Sequence, residues 1–188
     1  MLSIAANLGS GFNAEGYVQF RWNESYLPPT GTYWSTVNGL GKGHASYGLG
    51  ETEARNSGQW GLSLRWQPEN NIQANFGFYV LQYHDKTPNF TFRGADFTNN
   101  FGQWVFAEDR RLYGVSANVP LGDWAIGTEL SYRPRDAVAL NSLGSCNGGT
   151  ECWVDEKRYQ WHLTALYSAT DRKSTRLNSS HGYISYAV

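Results

Sequence analysis

The stretch Gln59–Tyr83, QWGLSLRWQPENNIQANFGFYVLQY, alternates along nearly its whole length. Trp60, Leu62, Leu64 and Trp66 point one way, and Gly61, Ser63, Arg65 and Gln67 the other. After the polar residues Pro68, Glu69, Asn70 and Asn71, the apolar series resumes at Ile72, Ala74, Phe76, Phe78 and Val80, against Gln73, Asn75, Gly77 and Tyr79. A period of two belongs to a β-strand, and two such runs around a short polar turn predict a hairpin. One face of this hairpin is apolar throughout, so it must meet either another sheet or lipid.

Tyr17–Trp22, Tyr113–Val119, Trp124–Arg133 and Tyr159–Ser168 alternate in the same way, and no segment shows helical periodicity of comparable strength. The connections between these runs are alternately long and short. Asn23–Gly58 is long, Pro68–Asn71 short, His84–Leu112 long, Pro120–Asp123 short and Pro134–Arg158 long. Short periplasmic turns and longer external loops are the rhythm of a transmembrane barrel. A compact soluble domain has no reason to gather every long connection at one end, and structureless loops of this length are uncommon in one. The expected fold is therefore all-β: an antiparallel meander of about six long strands, forming an arc of a larger transmembrane β-barrel. A soluble β-sandwich gives the same alternation and is the alternative.

The strand charges fall on one side. Arg21, Arg65, Glu129 and Arg133 lie on the polar face, as does His162, and these are the candidate lumen-facing residues. Arg on a lipid face costs about 2–4 kcal/mol at the bilayer midplane, whereas a wet lumen tolerates it. Such charges either form a structural ladder of ion pairs or tune which solute passes. The apolar face ends in aromatics: Trp22, Trp60, Trp66, Trp124, Tyr132 and Trp161 are the candidate interface residues, because amphipathic rings favour the headgroup level. Trp124 to Tyr132 spans roughly 26 Å along a strand. Tilted, that becomes roughly 20 Å of a ~25 Å apolar band.

Composition fits a barrel better than a membrane helix. Aromatics make up 15% and charged residues 16% of the chain, yet mean hydropathy is −0.52. No run approaches the ~18 apolar residues of a spanning helix. A net charge of −1 offers no basic face for nucleic acid. MLSIAANLGSGFN does not read as a signal peptide, since no basic segment precedes an apolar core. Either the protein stays in the cytoplasm or its natural N-terminus lies upstream. The tail DRKSTRLNSSHGYISYAV abandons the alternation and turns to Ser, Arg and Lys. Back-translated, Asp171–His181 and Ile184–Val188 resemble a common short-read sequencing adapter, with Gly182 and Tyr183 where a sample index would sit. Residues 171–188 are therefore expected to be an artefactual tail with no domain of their own, leaving 1–170 as a partial barrel domain.

Catalytic and ligand motifs are weak. In GLGKGHASYGLGE, Lys42 is followed by Gly43 rather than Ser or Thr, and Thr36 stands where a P-loop has its first glycine. A flexible external loop explains the segment better. GVSAN at Gly114 lacks the closing glycine of a nucleophile elbow. His44, His84 and His162 share no ligand spacing, so no metal is expected. The acids Glu51, Glu53, Asp85, Asp96, Glu108, Asp109, Asp155 and Glu156 sit in the long connections, where solvated charge is the ordinary reading. Cys146 and Cys152, in CNGGTEC, are the only cysteines. In a periplasm-exposed protein, two lone cysteines in one loop with Gly148 and Gly149 between them read as a disulfide.

GYVQFRWNESYLPPTGTYWST, Gly16–Thr36, resembles a segment of the long Gram-negative proteins called domain of unknown function 1302. The shared pattern is an aromatic strand, a Pro-Pro step, Gly, an aromatic and Ser-Thr. It falls on Phe20, Trp22, Pro28, Pro29, Gly31, Tyr33, Trp34, Ser35 and Thr36. SLRWQPE and FYVLQYHDKTPNF also look like family segments. The resemblance implies an internal piece of a large barrel in the outer membrane of a Gram-negative bacterium, one often encoded near exporters and lipid- or steroid-handling genes. Its partners would be outer-membrane lipid, the remainder of its own barrel and a hydrophobic or amphiphilic solute. Neither a cofactor nor an enzymatic reaction is expected. The alternative is a surface adhesin-like or carbohydrate-binding protein that acts through its long loops.

Overall fold

The computed structural model describes residues 1–35, 39–69, 73–92, 102–140, 146, 151–168 and, as backbone, 181–187. Its strands are β1 (Leu2–Gly9), β2 (Phe12–Gln19), β3 (Leu49–Thr52), β4 (Gln59–Trp66), β5 (Asn75–Tyr83), β6 (Asn89–Phe92), β7 (Gly102–Val105), β8 (Arg110–Leu121), β9 (Trp124–Ala139), β10 (Trp153–Tyr167) and β11 (His181–Ala187). An 8-stranded antiparallel sheet runs in the order β1-β2-β4-β5-β8-β9-β10-β11. The fold is thus all-β, and its main sheet is the arc-like meander that the alternation predicts. No helix among the described residues is long and apolar enough to cross a membrane, which is silent about crossing by strands.

Several boundaries differ from the sequence reading. β1 is not expected from it. The alternation of Leu2, Ile4 and Ala6 with Ser3, Ala5 and Asn7 uses small side chains that give a faint signal. β2 begins at Phe12 and stops at Gln19, so Arg21 and Trp22 lie beyond it rather than on a strand. Ile72 falls outside the described residues. The turn expected at Pro120–Asp123 is tighter, because Leu121 pairs with Trp124 and leaves only Gly122 and Asp123 between them. Gly122 has φ 60° at the first central position, the conformation a two-residue II′ hairpin demands there. At the β1–β2 turn Ser10 and Gly11 both have positive φ, as an I′ turn requires. A Cβ on Gly11 would run into the Gln67 carbonyl oxygen, so this turn also closes tightly on the end of β4.

Two prolines sit inside strands, and the ladder explains why each is tolerated. Pro120 pairs with Ala125, next to the turn-closing Leu121–Trp124 pair. Alternate antiparallel pairs exchange no hydrogen bonds, so the missing N–H is not needed towards β9. Pro134 lies where register jumps: Asp136 pairs with Glu156 and Arg133 with Arg158, placing Pro134 and Arg135 opposite Lys157 alone. A bulge leaves its extra residue unpaired, and a residue without a donor fits there. β9 and β10 therefore run well past the expected Arg133 and Tyr159 boundaries.

The first two long connections contain structure of their own. β3, β7 and β6 form a small sheet, with β3 parallel to β7 and β6 antiparallel to it. Strands of four residues are too short to show a period. Trp22, Ala54 and Phe106 make a small buried cluster in these connections. No comparable core lies under the main sheet among the described residues. β11 pairs with β10 from Gln160–Ala187 to Leu166–His181. An open edge can be extended by any chain that offers backbone donors and acceptors, whatever its sequence, so this pairing is neutral on the tail's origin.

Candidate functional site

The register sorts the main sheet into two faces. Along one, Leu2, Val18, Trp60, Gln82 and Arg111 share a level, and below them lie Ile4, Gly16, Leu62, Val80, Tyr113, Tyr132 and Tyr159. The next levels hold Leu64, Phe78, Val115, Leu130 and Trp161, then Trp66, Phe76, Ala117, Thr128 and Leu163. From Tyr113 to the short turns this face of the described strands carries no Asp, Glu, His, Lys or Arg. Its one hydroxyl in the middle of β9, Thr128 Oγ1, accepts from Trp161 Nε1 at 2.8 Å.

Aromatics close both ends of the band. At the short-turn end Phe12 stacks on Trp66 at 5.6 Å and Trp66 on Phe76 at 5.3 Å. Further round, Trp124 meets Tyr167 at 4.8 Å. At the long-connection end Tyr113, Tyr132 and Tyr159 form a stacked row, with centroids 6.4 and 4.6 Å apart. These are cross-strand pairs, the unit by which sheets gain side-chain stabilisation. Trp60, Trp66, Trp124, Tyr132 and Trp161 all lie on this face. Trp161 sits at a middle level opposite Leu130, not at a rim.

Trp22 requires correction as an interface residue. It is 5% exposed, packs edge-on against Phe106 at 4.5 Å, and donates its indole N–H to the Asp85 carbonyl at 3.2 Å. The strand that would have carried it to the band ends three residues earlier, and the ring instead holds connections together. Arg21 is corrected with it: it is exposed in the connection after β2 and has no place on a strand face.

Arg65, Glu129, Arg133 and His162 share the opposite face, with Arg65 opposite Asn13 and Gly77, and Glu129 opposite Ser116 and His162. The ladder of ion pairs is not formed: among the described residues Arg65, Glu129 and Arg133 make no salt bridge within 4 Å. Instead Arg133 donates to Gln160 at 3.5 Å, and Gln160 Nε2 lies 2.6 Å from His162 Nε2. Arg65, Glu129 and Arg133 thus stand as single charges among the described residues. Leu81, Leu112 and Leu166 share this face with Tyr17, Tyr79 and Tyr83, so it is mixed rather than purely polar. The rings of Tyr17 and Tyr79 occupy the space a Cβ would take on Gly61 and Gly114, lying flat over their cross-strand partners.

The ion pairs gather where the strands meet the long connections. Arg110, only 3% exposed, pairs with Asp155 at 2.5 Å and with Asp85 at 3.9 Å, and its guanidinium lies over the Trp153 ring at 5.2 Å. Arg158 pairs with Asp136 at 2.8 Å. Arg55 binds Asp109 and reaches Glu108 at 3.4 Å. Burial pushes the Asp85 carboxyl up to about 6; Arg110 opposes this and Asp136 adds to it. The Glu51 carboxyl is also raised, first by burial and then by Glu24, although His44 stands 3.5 Å away. His84 is wholly buried as a structural linker: Nδ1 accepts from the Asp109 N–H at 3.0 Å and Nε2 donates to the Ser57 carbonyl at 2.8 Å. The sequence reading places Arg110 in a loop; its one clue is a basic pair, Arg110-Arg111, beside the first alternating residue of β8.

Cys146 and Cys152 are joined as a disulfide. No cluster of three or more potential metal ligands occurs among the described residues.

Fold and faces together define the class: an all-β protein on an antiparallel meander arc with one apolar, aromatic-rimmed face and one mixed polar face. The family model described as protein of unknown function (DUF1302) matches residues 1–185, and the chain belongs to that family. No curated protein matches it, and no solved structure does.

Proposed function

We propose that the sheet is an arc of an outer-membrane β-barrel. Its apolar face lies on lipid, and its mixed face lines a lumen that admits hydrophobic or amphiphilic solutes without catalysing a reaction on them. The observation that carries this reading is the uncovered, charge-free band. Leu62 is 54% exposed, Phe78 48% and Leu130 48%, on a face no second sheet covers among the described residues. In water a contiguous patch of this extent is a liability. Beside hydrocarbon it is required, and the closing of both rims by aromatics suits an interface. The alternating leucines, tyrosines and isolated charges of the other face suit a solute with both apolar and polar parts. The open edges of the arc would be closed by further strands, as barrels do.

The test is reconstitution of the protein in planar bilayers, with ion selectivity measured before and after Arg65→Glu with Arg133→Glu. A lumen role predicts a shift of selectivity towards cations, and unchanged selectivity contradicts it. A second reading, surface binding through the loops, is favoured by Tyr33 and Trp34, which are 91% and 75% exposed. Replacing both with Ser should leave conductance unchanged. Loss of cell-surface or glycan binding in that variant, with solute passage intact, would favour the second reading.

A further inference from the structure

Near the short turns the mixed face carries a hollow of ≈ 560 Å³. Ser116, Glu129 and His162 share its first level, where Gly77 also pairs with Ser116. Asn118 and Thr164 flank Gly127 on the next level, and Pro120 and Leu166 flank Ala125 on the third, beside the turn. The two glycines make the room. Ser116 Oγ lies over Gly77 and Asn118 Oδ1 over Gly127, 2.5 and 2.8 Å from where a Cβ would stand. The amide oxygen of Asn118 is thus brought to β9, next to Glu129, which is two residues from Gly127 on the same face.

The hollow holds one charge. Glu129 makes no ion pair within 4 Å among the described residues, and the Tyr79 hydroxyl that faces it is neutral. Arg133 donates to Gln160 Oε1, which turns the Gln160 amide nitrogen onto His162 Nε2 at 2.6 Å. An amide N–H can only donate, so His162 Nε2 accepts and the ring is not a cation in this arrangement. Arg65 lies three strand spacings away, through Gly77 and Ser116, which is roughly 14 Å at ~4.8 Å each. Arg133 lies four residues up β9, roughly 13 Å. Both exceed the ~8 Å over which physiological salt screens a charge. Locally, Glu129 decides the field.

We propose that this hollow binds the ammonium head of a cationic amphiphile. An ammonium group offers donors and no acceptor, and the hollow answers with the Glu129 carboxylate, Asn118 Oδ1 and Ser116 Oγ. Hydrogen bonds between two ionised groups are the strong ones, so the head is held chiefly at Glu129. An anionic head would meet a carboxylate with no cation beside it, and a neutral head would forgo the charge altogether. The third level gives the chain its place: Pro120, Ala125 and Leu166 present apolar surface beside the polar levels, with Leu166 41% exposed. As a step in solute passage this rests on the mixed face lining a lumen, and it narrows the amphiphiles admitted there to organic cations.

The experiment is calorimetry of hexylammonium binding to the protein in phosphatidylcholine nanodiscs, with empty nanodiscs as the blank and hexanoate and hexanol as probes of equal chain length. Hexylammonium should bind about tenfold more tightly than either. Glu129→Gln, nearly the same shape at an exposed position, should remove that preference. Glu15→Gln, which takes a carboxylate from the same face outside the hollow, should keep it. Asn118→Leu should weaken hexylammonium several-fold with Glu129 still in place, and carries the test if Glu129→Gln does not fold. Equal binding of the three probes, a wild-type preference in Glu129→Gln, or unchanged hexylammonium binding in Asn118→Leu overturns the site. Bilayer conductance separates the two readings. A drop in conductance on adding hexylammonium, absent in Glu129→Gln, supports the site within a lumen. Calorimetry that follows the prediction while conductance ignores hexylammonium keeps the site and removes the lumen assignment.

Discussion

Single residues in this protein are decided by which side of the backbone they leave. Leu64 and Ser63 are adjacent, yet one meets Phe78 and Ala14 on the band and the other Tyr79 and Glu15 on the mixed face. Leu64→Arg should abolish stable insertion, at a cost of about 2–4 kcal/mol near the midplane, while Ser63→Arg should insert normally. Membrane-fractionated yields of the two variants check this, and equal yields would contradict the assignment of faces. Trp22 shows the limit of parity as a guide. Its place after Val18 and Phe20 continues a perfect alternation, and only the tertiary contact with Phe106 reveals that the strand has ended. Trp22→Phe removes one hydrogen bond to Asp85 and should cost about 1 kcal/mol. The expected readout is faster exchange around Asp85, with the β4–β5 ladder unaffected.

At the scale of elements, the turns and the disulfide give separable tests. Gly11 and Gly122 both sit at positive φ, but only Gly11 has a neighbour in the way of a Cβ. Gly122→Ala should therefore lower stability by about 1–2 kcal/mol, from backbone strain alone. Gly11→Ala adds a clash with the Gln67 carbonyl and should cost about 2–4 kcal/mol, seen as a lower unfolding midpoint in detergent. Reducing Cys146–Cys152 opens a loop with sequence separation 6, worth about 2–3 kcal/mol of chain entropy. The loss should appear as faster exchange at Cys152, which donates to Phe90, while the β9–β10 ladder stays protected. β4, β5, β8, β9 and β10 were legible in the sequence because each carries a long alternation on a half-covered sheet. β3, β6 and β7 were not, because four residues cannot display a period. The prolines misled for a different reason. A bulge opposite Pro134 and a non-bonded pair at Pro120 are properties of the partner strand, which local sequence does not show.

At the scale of the molecule, the arc, its faces and its rhythm of connections were all present in the period of two. The junction around Arg110 was not, because an ion pair between residues 45 apart, such as Arg110–Asp155, leaves no local pattern. Handled without detergent, the chain should aggregate through its bare band, and a soluble, monodisperse monomer would favour a different packing of that face. Contact between this face and lipid is read out by cysteine labelling of the protein in membranes. Leu64→Cys and Ser63→Cys are each made with Cys146 and Cys152 both replaced by Ser, then exposed to a water-soluble maleimide and to a lipid-borne spin quencher. Position 63 should react with the maleimide and escape the quencher, while position 64 should do the reverse. Equal aqueous labelling at the two positions would contradict that contact.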